Sequence, residues 1–120
     1  MSQVTDRVLV TGGTGFVGGL LLERLVAEGR QVRALVRRPA DRELLPDPRV
    51  ELALGDVRDE ESLARAADGC AVVYHVAGLN QLCLPDPAPL YEVNVEGTRR
   101  MLQAARRAGV RRVVHTSSAA

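Results

Sequence analysis

A glycine-rich stretch near the N-terminus carries the clearest chemical signal in this sequence. The segment Val8-Leu-Val-Thr-Gly-Gly-Thr-Gly-Phe-Val-Gly18 runs from apolar residues, through small ones, into a segment with helical periodicity. Its glycines fit T-G-x-x-G-x-x-G at Gly12, Gly15 and Gly18, and G-x-G-x-x-G at Gly13, Gly15 and Gly18. In such a turn one glycine permits the tight bend, a second admits a pyrophosphate close to the backbone, and the third lets helix and strand pack closely.

The N-terminal end of the helix after this turn would point toward the pyrophosphate. Its partial positive charge and unpaired N–H groups stabilise an anion there. Phe16 and Val17, the first helical residues, therefore join the glycines as candidate cofactor-binding residues. The alternative is a glycine turn that binds nothing. Because the motif lies between a strand and a helix, we favour a dinucleotide site.

Two arginines follow the second predicted strand and bear on the choice of cofactor. Sites that prefer NAD usually carry an acidic residue about 20 positions past the glycines, but this chain has Arg37 and Arg38 there. Guanidinium groups can grip a 2′-phosphate bidentately and stack on adenine. The alternative is a pair of solvated loop arginines. We expect NADP to be preferred, with NAD as the other candidate.

Further candidate groups follow the third and fourth strands. Asp56 could accept a hydrogen bond from the adenine amino group or simply organise a turn, and the residues favour neither interpretation. Ala77 and Gly78 are small enough to let the backbone approach a ribose. His75 lies inside the fourth strand, so we interpret it as a satisfied core or supporting residue rather than a general base.

The elements that must position these groups alternate regularly. Strands are predicted at residues 7–11, 31–36, 50–54, 71–76 and 110–116, helices at 15–28, 59–68 and 88–108, and a helical turn at 41–45. Such alternation is typical of a doubly wound parallel α/β sheet of the Rossmann type, in the order 3-2-1-4-5. Ligands bind such sheets at the carboxyl ends of the strands, where the candidate groups fall.

Several local features of the helices are also predicted. Asp59 is a plausible N-cap, and Gly29, Gly69 and Gly109 are natural helix-ending residues. Two sets of apolar residues should make buried contacts: Phe16, Val17, Leu20, Leu21, Leu25 and Val26 on the first helix, and Leu90, Val93, Met101, Leu102 and Ala105 on the last.

Composition narrows the class of protein. One domain of 120 residues with 46% hydrophobic but only 2% aromatic residues implies an aliphatic core. A net charge of +1, with both signs mixed, predicts no nucleic-acid partner. We see no signal peptide and no apolar run near the roughly 20 residues needed to cross a bilayer, so we expect a soluble cytoplasmic protein. Cys70 should be buried and Cys83 should lie in a loop, forming neither a disulfide nor a metal site.

The chain resembles the extended short-chain dehydrogenase/reductase superfamily, in its NAD-dependent epimerase/dehydratase family. It looks most like the dihydroflavonol-reductase-like and hopanoid-associated sugar-epimerase branch. The resemblance rests on Val10-Thr-Gly-Gly-Thr-Gly-Phe-Val-Gly18, Ala34-Leu-Val-Arg-Arg38, Gly55-Asp-Val-Arg-Asp59, His75-Val-Ala-Gly78, Val93-Asn-Val-Glu-Gly-Thr98 and Val113-Val-His-Thr-Ser-Ser118. These stretches follow one another in the family's order along the whole chain.

The resemblance implies roles for individual residues. It implies pyrophosphate binding at Gly12, Gly15 and Gly18, adenine contacts at Asp56 and Val57, and contact of Arg37 with adenine or a 2′-phosphate. It also implies a cofactor-lining loop at Ala77 and Gly78, and makes Ser118 the catalytic serine that hydrogen-bonds the reacting oxygen. The substrate would be a small carbonyl compound or a sugar-nucleotide-like molecule.

One departure from the family pattern leaves the activity open. The family's Tyr-x-x-x-Lys pair should follow Ser118, but these 120 residues contain no lysine, and neither Tyr74 nor Tyr91 begins such a pair. We therefore expect residues 1–120 to be the N-terminal NAD(P)-binding part, without the substrate-binding lobe. Three interpretations remain. The chain is part of a hydride-transferring reductase or epimerase, or it is a non-catalytic NADP-binding module, or it is an inactive truncated fragment. An open sheet edge at the fifth strand should promote homo-oligomers or aggregation.

Overall fold

The computed structural model describes residues 6–76 and 92–116. Its helices and strands, in chain order, are β1 (Val8–Thr11), α1 (Phe16–Ala27), β2 (Val32–Val36), a 3₁₀ helix (Pro39–Leu44), β3 (Glu51–Leu54), α2 (Glu60–Ala67), β4 (Val72–His75), a π-helical turn (Glu92–Glu96) continuing into α3 (Gly97–Arg107), and β5 (Arg112–His115). The predicted elements are all present, with ends that differ by a few residues. The predicted start of the last helix, residues 88–91, lies outside the described residues.

The five strands form one parallel sheet in the order β3-β2-β1-β4-β5, as predicted. The central strand pairs with both neighbours: Val8 lies opposite Val32 of β2 and Val72 of β4, and Thr11 lies opposite His75. The chain therefore moves from β1 to one side of the sheet and then crosses back to the other. This reversal places a topological switch point between β1 and β4.

The core lies on both faces of the sheet because side chains alternate along β1. Leu9 faces α2 and α3, whereas Val8 and Val10 face α1. The residues packed around Leu9 are Leu35, Val57, Leu63, Ala66, Ala67, Cys70, Val73, Met101, Ala104 and Ala105. Those packed around Val8 and Val10 are Leu22, Leu25, Val26, Val32, Ala34 and Val50. The core is aliphatic, and Cys70 is buried in it, as predicted.

The predicted apolar stripe of α1 is wrong at its beginning. Phe16, Val17 and Leu20 are 83%, 57% and 53% exposed, whereas Leu22, absent from the prediction, is fully buried. The buried face runs through Gly18, Leu22, Leu25 and Val26. The close approach of Gly18 to the β1–α1 turn rotates this face onto the sheet. Phe16, Val17 and Leu20 lie off this face and consequently point outward.

The last helix shows a similar, smaller difference. Leu102 is 48% exposed, contrary to the prediction, while Met101 and Ala105 are buried as predicted. Ala104 completes the buried face. Each residue turns an α-helix by about 100°, so Leu102 lies to one side of the face formed by Gly97, Met101, Ala104 and Ala105.

The helix ends follow the predicted local chemistry. Gly29, Gly69 and Gly109 have φ values of +81°, +79° and +77°, in the left-handed region that glycine adopts without steric cost. At the start of α2, the Asp59 carboxylate accepts a hydrogen bond of 3.1 Å from the backbone N–H of Glu61. Asp59 is therefore the predicted N-cap.

We expect Asp59→Ala to lower the free energy of unfolding by about 1 kcal/mol, because one N–H at the start of α2 loses its acceptor. Urea denaturation followed by circular dichroism measures the change. Asp59→Asn is the matched control, since its amide oxygen can accept the same bond and should preserve most of the stability. Equal losses in both variants would contradict the capping role.

An arginine that the sequence analysis did not single out ties β2 to α2. Arg33 donates hydrogen bonds through Nη1 to the carbonyl oxygens of Ala66 at 2.6 Å and Asp68 at 2.9 Å. Its Nε lies 3.4 Å from a carboxylate oxygen of Glu51 on β3. A cation favours the C-terminal end of a helix, where carbonyl groups lack partners. Arg33 thereby holds the end of α2 against the sheet.

Both outer strands of the described sheet, β3 and β5, carry exposed side chains. β5 carries exposed side chains at Arg112, Val114 and His115. The prediction of oligomers or aggregation at the β5 edge stays a prediction.

Within residues 6–76 and 92–116, every helix is too short or too polar to cross a lipid bilayer.

Candidate dinucleotide site

The carboxyl ends of the strands place those predicted site residues that the structure describes at one end of the sheet. β1 ends just before Gly12, β2 just before Arg37, and β3 just before Gly55 and Asp56. Because all three strands are parallel, the segments that follow them emerge on the same side. The fold thus places Gly12, Arg37 and Asp56 at the carboxyl ends of three neighbouring strands, of which β1 borders the switch point.

The glycine turn between β1 and α1 leaves no room for a side chain at Gly18. A Cβ atom at Gly18 would lie 2.0 Å from the carbonyl oxygen of Gly12 and 2.6 Å from its carbonyl carbon. Gly12 itself has a φ of +77°, and its carbonyl accepts a 3.1 Å hydrogen bond from the N–H of Gly15. The first and last glycines of the T-G-x-x-G-x-x-G spacing are therefore required by the backbone geometry.

The start of α1 provides donors that no side chain of the described residues caps. Its N-cap, Gly15, is extended and has no side chain, and the first turn contains no acidic residue. Phe16 and Val17 begin the helix at the surface. N–H groups in such a turn bind an anion, and the glycines allow it to approach the backbone. These features fit the pyrophosphate of a dinucleotide.

The two arginines after β2 have different surroundings. Arg38 donates a 3.1 Å hydrogen bond through Nη2 to Asp41 at the start of the 3₁₀ helix. Arg37 is exposed and makes no hydrogen bond or ion pair with the described residues. The guanidinium of Arg37 is therefore available to a ligand, whereas that of Arg38 is engaged within the chain.

Asp56 organises the turn after β3. One carboxylate oxygen accepts a 2.9 Å hydrogen bond from the backbone N–H of Arg58. The backbone N–H of Asp56 donates to the Ser62 hydroxyl at 3.0 Å. Val57 is buried in the core, and its carbonyl accepts a 3.4 Å bond from Arg100. The turn role is thus observed for Asp56, and the adenine contacts of Asp56 and Val57 stay predictions.

His75, at the end of β4, is a satisfied buried residue, as the sequence indicated. Its side chain is 1% exposed. Nδ1 lies 2.8 Å from the Thr11 hydroxyl oxygen, and Nε2 lies 3.2 Å from the Thr98 hydroxyl oxygen. Burial, with a smaller contribution from His115, lowers the pKa of His75 from 6.5 to about 4. The ring is therefore neutral near pH 7.

The partners of this ring, Thr11 and Thr98, were not predicted from the sequence. A threonine ending an apolar buried strand was the available signal at position 11, since a buried hydroxyl requires a partner. Thr98 ends the family-like stretch of residues 93–98, but nothing in that stretch indicated a contact with His75. The predicted cofactor-lining residues Ala77 and Gly78, the predicted catalytic Ser118 and the predicted loop residue Cys83 lie outside the described residues.

Comparisons with known proteins agree with this architecture. The family model described as "NAD dependent epimerase/dehydratase family" matches residues 8–120. A relative named "Sterol demethylase protein B" from Methylococcus capsulatus is 49% identical over 110 residues, which cover 92% of this chain and 34% of the relative. A "Putative dihydroflavonol 4-reductase" from Synechocystis is 42% identical over 117 residues, covering 98% of this chain and 34% of the relative.

A solved structure extends the comparison to the fold. A short-chain dehydrogenase/reductase superfamily protein from Agrobacterium tumefaciens, crystallised with bound NAD, has a TM-score of 0.78 and 38% sequence identity. The match covers 93% of this chain and 32% of that protein. The chain thus spans about a third of the length of the relatives that it matches.

Proposed function

The chain belongs to the NAD dependent epimerase/dehydratase family, and on that premise we propose that residues 1–120 form the NAD(P)-binding part of an oxidoreductase or epimerase. The protein would act by hydride transfer between a nicotinamide cofactor and a carbonyl or sugar-nucleotide-like substrate. NADP is the favoured cofactor and NAD the alternative. Ser118 would hydrogen-bond the reacting oxygen of the substrate.

The observation that carries this proposal is the geometry of the glycine turn. Gly18 approaches the Gly12 carbonyl so closely that no side chain fits, and the helix that begins there has no side-chain cap. The turn also follows β1, the strand beside the switch point. A closely packed strand–turn–helix whose first N–H groups are capped by no side chain of the described residues suits a pyrophosphate.

Apart from Ser118, the site residues of this chain would bind and orient the cofactor. The N–H groups at the start of α1 would hold the pyrophosphate, with Gly12 and Gly15 keeping the backbone accessible. Asp56 and Val57 would contact the adenine, Arg37 the 2′-phosphate, and Ala77 and Gly78 the ribose. A bound nicotinamide ring supplies the hydride donor or acceptor.

Titration of the 120-residue chain with NADPH and with NADH, followed by calorimetry, tests cofactor binding directly. Saturable binding of either supports the proposal, and a folded chain that binds neither would overturn it. Hydride transfer is tested separately with NADPH deuterated at the transferable position and a panel of aldehydes and ketones. Deuterium in the alcohol product would rule out the non-catalytic binding module.

We expect Arg37→Asp to shift the preference from NADPH toward NADH. The guanidinium would lose its charge-assisted hydrogen bonds to the 2′-phosphate, and a carboxylate would repel that group while accepting a bond from a ribose hydroxyl. The ratio of the two dissociation constants should change about tenfold or more. Competition binding of both cofactors measures it.

Arg111→Asp is the matched control for this substitution. It makes the same change of charge in the exposed turn before β5, at the amino ends of the strands. The cofactor ratio should therefore stay as in the wild-type chain. Equal shifts in the two variants would mean that net charge, rather than Arg37, decides the preference.

A further inference from the structure

The ring of His75 joins three segments at the switch point. Thr11, its partner on one side, is the last residue of β1 and directly precedes the glycine turn. Thr98, its partner on the other side, lies in the first turn of α3. His75 itself ends β4, so a single imidazole bridges two strand ends and a helix.

The donors and acceptors around the ring run in one direction. The Thr98 hydroxyl donates to the Asn94 carbonyl at 2.7 Å, so toward the ring it can only accept a hydrogen bond. Nε2 of His75 therefore carries the proton and donates to Thr98. Nδ1 is then unprotonated and accepts a hydrogen bond from the Thr11 hydroxyl.

The same chain continues beyond Thr11. The backbone N–H of Val76 donates to the Thr11 hydroxyl oxygen at 3.1 Å. Val76 directly precedes Ala77, the first residue of the proposed cofactor-lining loop. The directed chain thus runs from Val76 through Thr11, His75 and Thr98 to the carbonyl of Asn94, and it fixes one tautomer of a neutral ring.

The far end of the chain lies in an irregular part of the helix. Asn94 belongs to the π-helical turn Glu92–Glu96, which precedes the regular α-helix beginning at Gly97. Single π-helical turns are rare and occur frequently at functional sites. The hydrogen bond from Thr98 to the Asn94 carbonyl links this turn to the ring of His75.

We propose that His75 is a positioning residue: its ring sets the spacing between the glycine turn and the start of α3, and with it the affinity for the dinucleotide. The inference rests on the proposed function. His75 is not a proton-transfer group for the substrate, because both ring nitrogens are bonded within the protein and the ring is buried. Instead it transmits the position of α3 to Thr11, the residue before Gly12.

A double-mutant cycle tests this role, using Thr11→Val and Thr98→Val as isosteric removals of each hydroxyl. Each single variant should raise the dissociation constant for NADPH about threefold to tenfold, as expected for one lost hydrogen bond. The double variant should bind about as weakly as the weaker single variant, because breaking either end releases the same ring. Thr98→Ser restores the hydroxyl and should restore the affinity.

The outcomes separate this proposal from the proposed function. If the wild-type chain binds NADPH but the two losses multiply, or Thr98→Val leaves the affinity unchanged while lowering the melting temperature, the positioning role is overturned and the cofactor site stands. No binding by the folded wild-type chain would overturn both. Nitrogen-15 spectra of the histidine side chains give an independent readout: an Nδ1-protonated ring at His75 would contradict the directed chain.

Discussion

Replacing Gly18 with alanine should nearly abolish dinucleotide binding and destabilise the fold. The new Cβ would lie 2.0 Å from the Gly12 carbonyl oxygen and 3.0 Å from the Cα of Gly13. Both are backbone atoms, which cannot move away by a change of rotamer. The turn and α1 would have to separate by more than an ångström. We expect a loss of about 2 kcal/mol or more in the free energy of unfolding. Affinity for NADPH should fall about 100-fold, because the helix N-terminus no longer faces the turn.

Gly19→Ala is the matched control, one position further along the same helix. There the nearest atom to a Cβ would be the Gly13 carbonyl oxygen at 3.6 Å, an ordinary contact. Alanine within a helix is favoured over glycine by about 0.5–1 kcal/mol, so this variant should be slightly more stable and bind NADPH normally. Urea denaturation and calorimetry measure both quantities. Equal behaviour of the two variants would contradict the close approach at Gly18.

Lowering the pH from about 7 to about 5 should cost the chain about 2 kcal/mol of stability through His75 alone. The pKa of this buried histidine falls from 6.5 to about 4 in the folded chain. As the pH drops below 6.5, the unfolded chain therefore binds a proton that the folded chain excludes until about pH 4. Stability is full above pH 6.5 and is lost progressively between these two values.

Urea denaturation at several pH values measures this loss, and His75→Gln should flatten the profile because it removes the titrating ring. His115→Gln is the matched control, since it removes an exposed histidine and should leave most of the pH dependence. Two carboxylates also have shifted pKa values. Hydrogen bonds from Arg49 and Arg107 lower the pKa values of Asp47 and Glu61, so these groups become protonated below their ordinary pKa values of 3.8 and 4.5. If His75→Gln keeps the wild-type dependence of stability on pH, groups other than His75 cause the acid sensitivity.

Most of the fold followed from local patterns in the sequence. Apolar runs such as Val8–Val10 and the glycines ending each helix predicted the order of the elements, and the alternation of strand and helix predicted the parallel sheet. These signals are reliable because each depends on a few neighbouring residues: Gly29 ends α1 and Asp59 caps α2 through contacts within their own turns.

The buried face of α1 could not be derived in the same way. Phe16, Val17 and Leu20 are as apolar as Leu22, and the helical period alone does not choose among them. The choice depends on the rotation of the helix about its axis. That rotation is set by the contact of Gly18 with the turn before it, which exists only once strand and helix have packed.

The sequence by itself determined that a glycine turn, two arginines and the turn at Asp56 follow three predicted strands, because motif spacing and the order of elements along the chain depend on neighbouring residues. Only the tertiary structure decided which arginine is engaged, through the contact of Arg38 with Asp41. It also decided that His75 bridges Thr11 and Thr98, residues 64 and 23 positions away. Such contacts arise from strand register and helix packing, which bring together residues that no pattern in the chain connects.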